Sequence, residues 1–115
     1  MAYTIPNSHT FILRGHDTTS AQNIVTIAAA EAVTLSMDFA NVVNGGAFLA
    51  SVTSVVTVDA AGDDAGVSTN KAVDDDIYRA TWNPPSLTAG GYVVTVTVAT
   101  DDSETLVGVG ILQVI

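Results

Sequence analysis

Apolar and polar residues alternate along most of this 115-residue chain, and a period of two residues is typical of β-strands. The segment AVTLSMDF is the cleanest example in the first half, because its apolar side chains fall on one face and its polar ones on the other. Pro84 and Pro85 end a later run, since proline cannot continue a hydrogen-bonded ladder. About seven strands are predicted, at residues 10–14, 23–28, 33–39, 51–59 and 77–82 and in two segments of 90–115.

Short strands joined by turns predict an all-β fold, an antiparallel β-sandwich of two sheets packed face to face, with a small barrel as the competing architecture. A chain of this length has room for one core. We expect residues 1–20 to form an N-terminal arm plus the first strand, and residues 21–115 to form a single β-sandwich domain. The predicted core consists of Val33, Leu35, Met37, Phe39, Val56, Tyr92, Val94 and Val96.

Tyr92 follows Gly90 and Gly91 at the start of the penultimate predicted strand. In β-sandwiches a tyrosine at this place often fastens a corner, because its hydroxyl bonds to the backbone of the preceding loop. An ordinary half-buried aromatic side chain is the alternative, and the sequence favours neither.

The chain carries twelve acidic residues against three basic ones, a net charge of −9, and no cysteine. An acidic surface repels phosphates and anionic lipid heads, so we expect no nucleic-acid and no membrane partner and favour a basic protein surface. Without cysteine neither a disulfide nor a thiolate metal site can form. The first residues lack the basic and apolar regions of a secretory leader, so the chain is expected to stay in the cytoplasm or in something assembled there.

Acidic residues cluster in three predicted loops. Ca²⁺ prefers six to eight oxygen ligands, so loops that converge at one end of a sandwich would provide a site for it. None of the clusters has the spacing of an EF-hand loop, and solvated loops without metal are the favoured interpretation, so no cofactor is predicted. The weak candidates for metal ligands are Asp63, Asp64, Asp101 and Asp102.

Acid–base chemistry has few candidates beyond His9, His16 and Asp17. His16 and Asp17 are adjacent, so in a strand their side chains point to opposite faces and form no relay. Two histidines are also too few for a stable Zn²⁺ site. We therefore predict that the chain is not an enzyme and has no catalytic residues. One alternative function is a Ca²⁺-dependent carbohydrate-binding or adhesive module, with Trp82 or Tyr78 as the platform for a sugar.

Gly108 and Gly110 lie inside the last predicted strand, where a glycine often marks the close approach of another backbone or ring. This strand is apolar on both faces toward its end, and an apolar edge invites pairing with another surface. Contacts with other subunits are predicted for this strand and for the N-terminal segment, through Phe11, Leu13, Gly108, Gly110, Leu112, Val114 and Ile115.

The segments LSMDFANVVNGGAFLASVTSVVTV and GGYVVTVTVATDDSETLVGVGILQVI resemble the small immunoglobulin-like structural proteins of tailed bacteriophages. One shared feature is an apolar strand that ends in an acidic–aromatic pair, here Asp38 and Phe39. Another is a closing Gly-Tyr strand rich in valine and threonine, followed by a polar turn and a last strand near the C-terminus. The resemblance covers about residues 33–115.

This resemblance implies an immunoglobulin-like sandwich and a structural role in the virion, with a capsid decoration or cement protein as the first hypothesis. A tail or baseplate component is an alternative that the residues do not separate from it. The resemblance further implies the major capsid protein or other virion proteins as partners, and homo-oligomers within the particle. The expected location is the virion, after assembly in the host cytoplasm.

Overall fold

The computed structural model describes residues 5–13 and 24–115. These residues form one short 3₁₀ helix, Asn7–His9, and nine β-strands. No helix in this part of the chain is long and apolar enough to cross a membrane. The strands are β1 (Thr10–Ile12), β2 (Ile24–Ile27), β3 (Leu35–Asp38), β4 (Leu49–Asp59), β5 (Asp64–Val67), β6 (Thr69–Val73), β7 (Arg79–Asn83), β8 (Gly90–Thr100) and β9 (Thr105–Val114).

The strands form two sheets that enclose one core, so the predicted β-sandwich is confirmed and the barrel is not observed. One sheet has four strands in the order β1-β3-β7-β6, and the other has five in the order β2-β9-β8-β4-β5. Most pairs are antiparallel, but β1 with β3 and β2 with β9 are parallel. The chain crosses between the sheets after β1 and again after β2, so β1 and its partner β3 are not joined by a hairpin. Strands joined by a longer crossover are free to pair in parallel.

Strands β5 and β6 were not predicted, and they raise the number of strands from about seven to nine in the described residues. Each lies at the edge of its sheet, and most of its side chains are exposed on both faces. A strand without a buried face has no alternation of apolar and polar residues, and that alternation is the signal on which strand prediction rests. The expected N-terminal arm lies partly outside the described residues, whereas β1 is part of the four-stranded sheet.

Six of the eight predicted core residues are buried, and Val33 is partly buried. The prediction is wrong for Val56, which is 43% exposed. The pairing of β4 with β8 shifts register between Val52 and Ser54, and such a β-bulge exchanges the inward and outward positions beyond it. Val55 and Thr57 therefore face the core in place of Val56.

The two glycines of β9 let side chains of the opposite sheet reach the backbone. A Cβ atom at Gly110 would lie 2.7 Å from the Phe11 Cε1 atom, and one at Gly108 would lie 2.8 Å from the Leu13 Cδ1 atom. Phe11 in turn stacks on Trp82 with 6.1 Å between the ring centroids, and both side chains are fully buried. The prediction that these glycines mark the close approach of a ring is confirmed for Gly110.

The Tyr92 hydroxyl donates a hydrogen bond to the Thr88 carbonyl oxygen at 2.8 Å, and the ring is 7% exposed. The corner arrangement is therefore confirmed over the alternative of an ordinary half-buried aromatic. The hydrogen bond connects the loop before β8 to the first residues of this strand, and β8 pairs with both β4 and β9. The start of the central strand is thus fixed against the loop that precedes it.

We expect Gly110→Ala to lower the free energy of unfolding by about 1–3 kcal/mol, because the added methyl group overlaps the Phe11 ring. Gly91→Ala is the matched control in the same sheet, since a Cβ there meets nothing within 4 Å. Urea unfolding measures both variants. Combining Gly110→Ala with Phe11→Leu should recover part of the loss, and an unchanged midpoint for Gly110→Ala alone would contradict the packing described.

Thr57→Val should raise the free energy of unfolding by about 1 kcal/mol, because the Thr57 hydroxyl is buried without a hydrogen-bond partner in the described part of the chain. Thr69→Val, at an exposed position of β6, serves as the control and should change little. Thermal unfolding compares the two. A large loss of stability in Thr57→Val would mean that the hydroxyl has a partner after all.

Candidate functional site

The structure places most of the predicted interaction residues inside the sandwich. Phe11, Leu13, Leu112 and Val114 are between 0 and 3% exposed, and Gly108 and Gly110 contact the opposite sheet. Their apolar character serves the packing of this chain on itself, because these positions have no surface to offer to a partner. Ile115 differs from them, since it is 69% exposed at the end of the five-stranded sheet.

The acidic loops that were considered for metal binding lie far apart. Asp63 and Asp64 follow β4, at the end of the five-stranded sheet where Asp59 pairs with Tyr92. Asp101 and Asp102 follow β8, at the other end of the sheet. The eleven residues of β8 separate the two loops by about 30 Å. The described residues contain no group of three or more His, Cys, Asp or Glu side chains that could hold a metal ion.

The acidic side chains in these loops form hydrogen bonds within their own turns or to the backbone of a neighbouring loop. Asp59 Oδ1 accepts hydrogen bonds from the amides of Ala61 and Asp63 at 2.9 and 3.0 Å. Asp101 Oδ1 accepts one from the Phe48 amide at 2.9 Å. The hydroxyl of Thr100 donates to Asp102, and this bond holds the pKa of the Asp102 carboxyl below its ordinary value. These carboxylates shape turns, as acidic residues commonly do.

The remaining candidates for chemistry and for sugar binding do not come together. Trp82 is fully buried between the sheets, so its ring offers no platform to a sugar, and Tyr78, the other predicted platform, is partly buried. The predicted alternative of a Ca²⁺-dependent carbohydrate-binding module is wrong. His16 and Asp17 lie outside the described residues. His9 ends the short 3₁₀ helix, where its amide donates to the Pro6 carbonyl at 2.9 Å.

The outward side of the five-stranded sheet carries a continuous apolar surface. Ile24 of β2, Ile111 of β9, Val93 of β8 and Val58 of β4 occupy successive paired positions across four strands. Residues that pair across neighbouring strands lie on the same face of a sheet, so these four form one row. Together with their neighbours on the same side they define what we call the apolar outer face, which consists of Ile24, Val56, Val58, Val93, Val107 and Ile111.

This surface is open to solvent in the described chain. Ile24, Val56, Val93 and Val107 are 50, 43, 40 and 47% exposed, and Val67, which pairs with Val56, extends the surface onto the edge strand. Between the ends of β2, β9, β8 and β4, the other outward positions hold Val109 and otherwise threonine, serine, alanine, glycine and glutamine, and none of the described ones is charged. On the edge strand β5, Asp64 pairs with Val58 and places a carboxylate at the border of this surface. An exposed apolar area that spans a whole sheet is unusual on a protein without a partner.

Charged residues surround the apolar outer face at the two ends of its strands. The connection from β4 to β5, counted from Asp59 to Asp64, carries three acidic residues, and so does the turn after β8. Lys71 and Arg79, the basic residues in the described part of the chain, belong to β6 and β7 of the other sheet. Arg79 is paired there with Asp38 at 3.6 Å and with Asp76 at 3.3 Å. The five-stranded sheet therefore has two acidic ends without a basic residue among its described positions.

The sequence contained a signal for this surface. The last strand was predicted to be apolar on both faces, and its outward residues include Val107 and Ile111. The contribution of Val56 was hidden by the β-bulge in β4, because strict alternation assigned this residue to the core. Adjacent apolar residues such as Val55 and Val56 mark places where both faces of a strand are apolar.

Comparison with known proteins supports the fold. No family model and no curated protein matches this sequence. Among solved structures, the chain is similar to the crystal structure of CopC from Methylosinus trichosporium OB3b, with 21% sequence identity and a TM-score of 0.53. The match covers 77% of this chain and 80% of that one. The chain thus has a two-sheet, CopC-like sandwich fold.

The predicted resemblance to bacteriophage structural proteins is wrong, because the matched structure is CopC and not a phage protein. The virion functions inferred from it, in the capsid and in the tail, are corrected with it. So are the predicted capsid partner, the homo-oligomer in the particle and the virion location. The motifs that suggested phage proteins describe strands and a hairpin, and such features recur in sandwiches of unrelated function.

Proposed function

We propose that this chain is a non-enzymatic protein-binding module, and that the apolar outer face is its docking surface. The observation that carries the proposal is the row Ile24–Ile111–Val93–Val58, which crosses four strands without a charged side chain in a chain of net charge −9. In a strand with one solvated face, apolar residues that face the core usually alternate with polar residues that face the solvent. An apolar row of this length on the outward side is therefore suited to burial against another protein.

The size of the surface fits this role. The sheet has three strands of ten or eleven residues and two strands of four residues. At a spacing of about 4.8 Å and a rise of about 3.3 Å per residue, these strands give a face of roughly 600 Å². A standard protein interface covers about 800 Å² on each partner. The outward side of the five-stranded sheet therefore reaches the lower end of the standard range, which is about 600–1,000 Å² on each partner.

The register of β4 supports the proposal from a second direction. Beyond the β-bulge, Thr57 is 1% exposed and its hydroxyl lacks a hydrogen-bond partner among the described residues, while Val56 faces solvent. The opposite register would bury Val56 and expose Val55 and Thr57, so it would exchange one valine for another and remove an unpaired hydroxyl from the core. The observed register leaves the Thr57 hydroxyl unpaired among the described residues and Val56 exposed, and a partner that covers Val56 would favour this register.

Copper binding is the alternative that the likeness to CopC raises. Copper sites in proteins use several histidine, cysteine or methionine ligands. The chain has no cysteine, the described residues include one histidine, and they contain no cluster of three potential ligands. The described residues therefore do not fit a copper site, and at 21% identity the likeness to CopC supports the fold alone.

Metal ions should leave the stability of the chain unchanged. We expect the melting temperature to be the same with EDTA as with added Cu²⁺, Zn²⁺ or Ca²⁺, because a ligand stabilises a fold only when the folded state binds it better than the unfolded chain does. Differential scanning calorimetry provides the measurement. A rise in melting temperature with Cu²⁺ would favour copper binding over the proposed function, and a rise with Ca²⁺ would show that the acidic loops bind metal.

The double variant Val93→Glu with Val107→Glu should lose partner binding, because it places two charges in the centre of the apolar outer face. Thr69→Glu with Ala72→Glu adds the same charges at exposed positions of β6 in the other sheet and is the matched control. Each protein is immobilised and exposed to a lysate of the organism that encodes it, and retained proteins are quantified by mass spectrometry.

The expected result is a set of proteins retained by the wild type and by the β6 control, and reduced about tenfold or more with the Val93 and Val107 variant. Circular dichroism and thermal unfolding must show that all three proteins are folded. Equal retention by all three would show that the apolar outer face is not a docking surface.

A further inference from the structure

We infer that the partner of the apolar outer face presents an apolar surface flanked at both ends by basic side chains, and that it is a different protein from this chain. The inference rests on the proposed function and specifies the class of partner. It starts from the placement of charge, because the two turns at the ends of the five-stranded sheet carry half of the acidic residues of the chain: Asp59, Asp63, Asp64, Asp101, Asp102 and Glu104.

The acidic groups are held at the ends of the sheet by the structure of the turns. Asp59 and Asp101 are fixed by hydrogen bonds from backbone amides, and the Asn44 side-chain amide donates to Glu104. None of the described residues of the five-stranded sheet is basic, so no neighbour on this sheet neutralises them. Their negative potential therefore extends over the rim of the apolar outer face.

A second copy of this chain is a poor occupant of the surface. Sheets that pack face to face in the aligned mode keep their strands within about 30° of one another, so two copies of this face in that mode would meet with their acidic ends close together in either direction. The like charges would then oppose the burial of the apolar residues. A partner with basic residues about 30 Å apart, on either side of an apolar centre, gains at both ends.

Three designed peptides provide the probe. An amphipathic helix of about 20 residues is about 30 Å long and matches the distance between the acidic ends. The peptides share one face of leucine and alanine and differ in their terminal turns, which carry lysine, glutamine or glutamate. Fluorescence anisotropy measures the dissociation constants at about 50 and about 500 mM NaCl, since salt screens charge interactions over this range.

At low salt, the lysine peptide should bind the wild-type protein about tenfold more tightly than the glutamine peptide, and the glutamate peptide should bind most weakly. High salt should remove most of this difference in affinity. Asp63→Asn with Glu104→Gln removes one charge from each end and should reduce the preference for lysine several-fold. Asp74→Asn with Asp75→Asn removes two charges from the turn before β7 and should leave the preference unchanged.

The outcomes separate the inference from the proposed function. If the wild type binds the lysine and glutamine peptides with equal affinity, and the Val93→Glu, Val107→Glu double variant binds neither, the inference is overturned and the docking surface is kept. Binding of the peptides that this double variant leaves unchanged would overturn the proposed function. Self-association of the wild type in sedimentation experiments, abolished by the same variant, would replace the basic partner with a second copy. Failure of the lysine peptide to bind at about 1 mM would also overturn the inference.

Discussion

The close approach of the two sheets at Gly108 and Gly110 is the constraint on which the sandwich depends. Because these positions lack a Cβ atom, Phe11 and Leu13 reach the backbone of β9, and Phe11 stacks on Trp82 within the same core. Strand β1 has only three residues and pairs with β3 alone, so its burial rests on this contact more than on its hydrogen bonds. A side chain at Gly110 would separate the sheets and loosen the packing of the largest aromatic residue of the chain.

The inward side of the sandwich was the predictable part, because burial leaves a pattern in the sequence. Leu35, Met37 and Val94 follow the period of two and lie in the core, and Tyr92 fastens the corner that its position indicated. The edge strands β5 and β6 and the register of β4 beyond its bulge were not predictable in this way. An exposed strand has no buried face to reveal it, and a bulge breaks the alternation from which a face is inferred.

The candidate site followed from the sequence only in part. A surplus of apolar residues in the last strand indicated an interaction, but all the positions chosen for it except Ile115 are ones that the sandwich itself buries. Once Leu112 and Val114 complete the core, Ile111 and Val107 have no role in the packing of the two sheets and remain outside. The function inferred from the resemblance was wrong for a related reason, since strand and turn patterns describe a scaffold and carry no information on its partners.

The acidic turns place like charges beside the exposed apolar face of every copy of this chain. Apolar sheet faces favour pairing between molecules, and charge at both ends of the strands opposes that pairing because every copy carries the same sign. Asp59 shapes the turn that connects β4 to β5, and Asp101 connects the turn after β8 to the Phe48 amide just before β4. A basic partner changes the sign of this electrostatic interaction without changing the apolar contact. Under the proposed function, resistance to self-association and preference for a basic partner have one physical origin, which is the uncompensated charge at the ends of the five-stranded sheet.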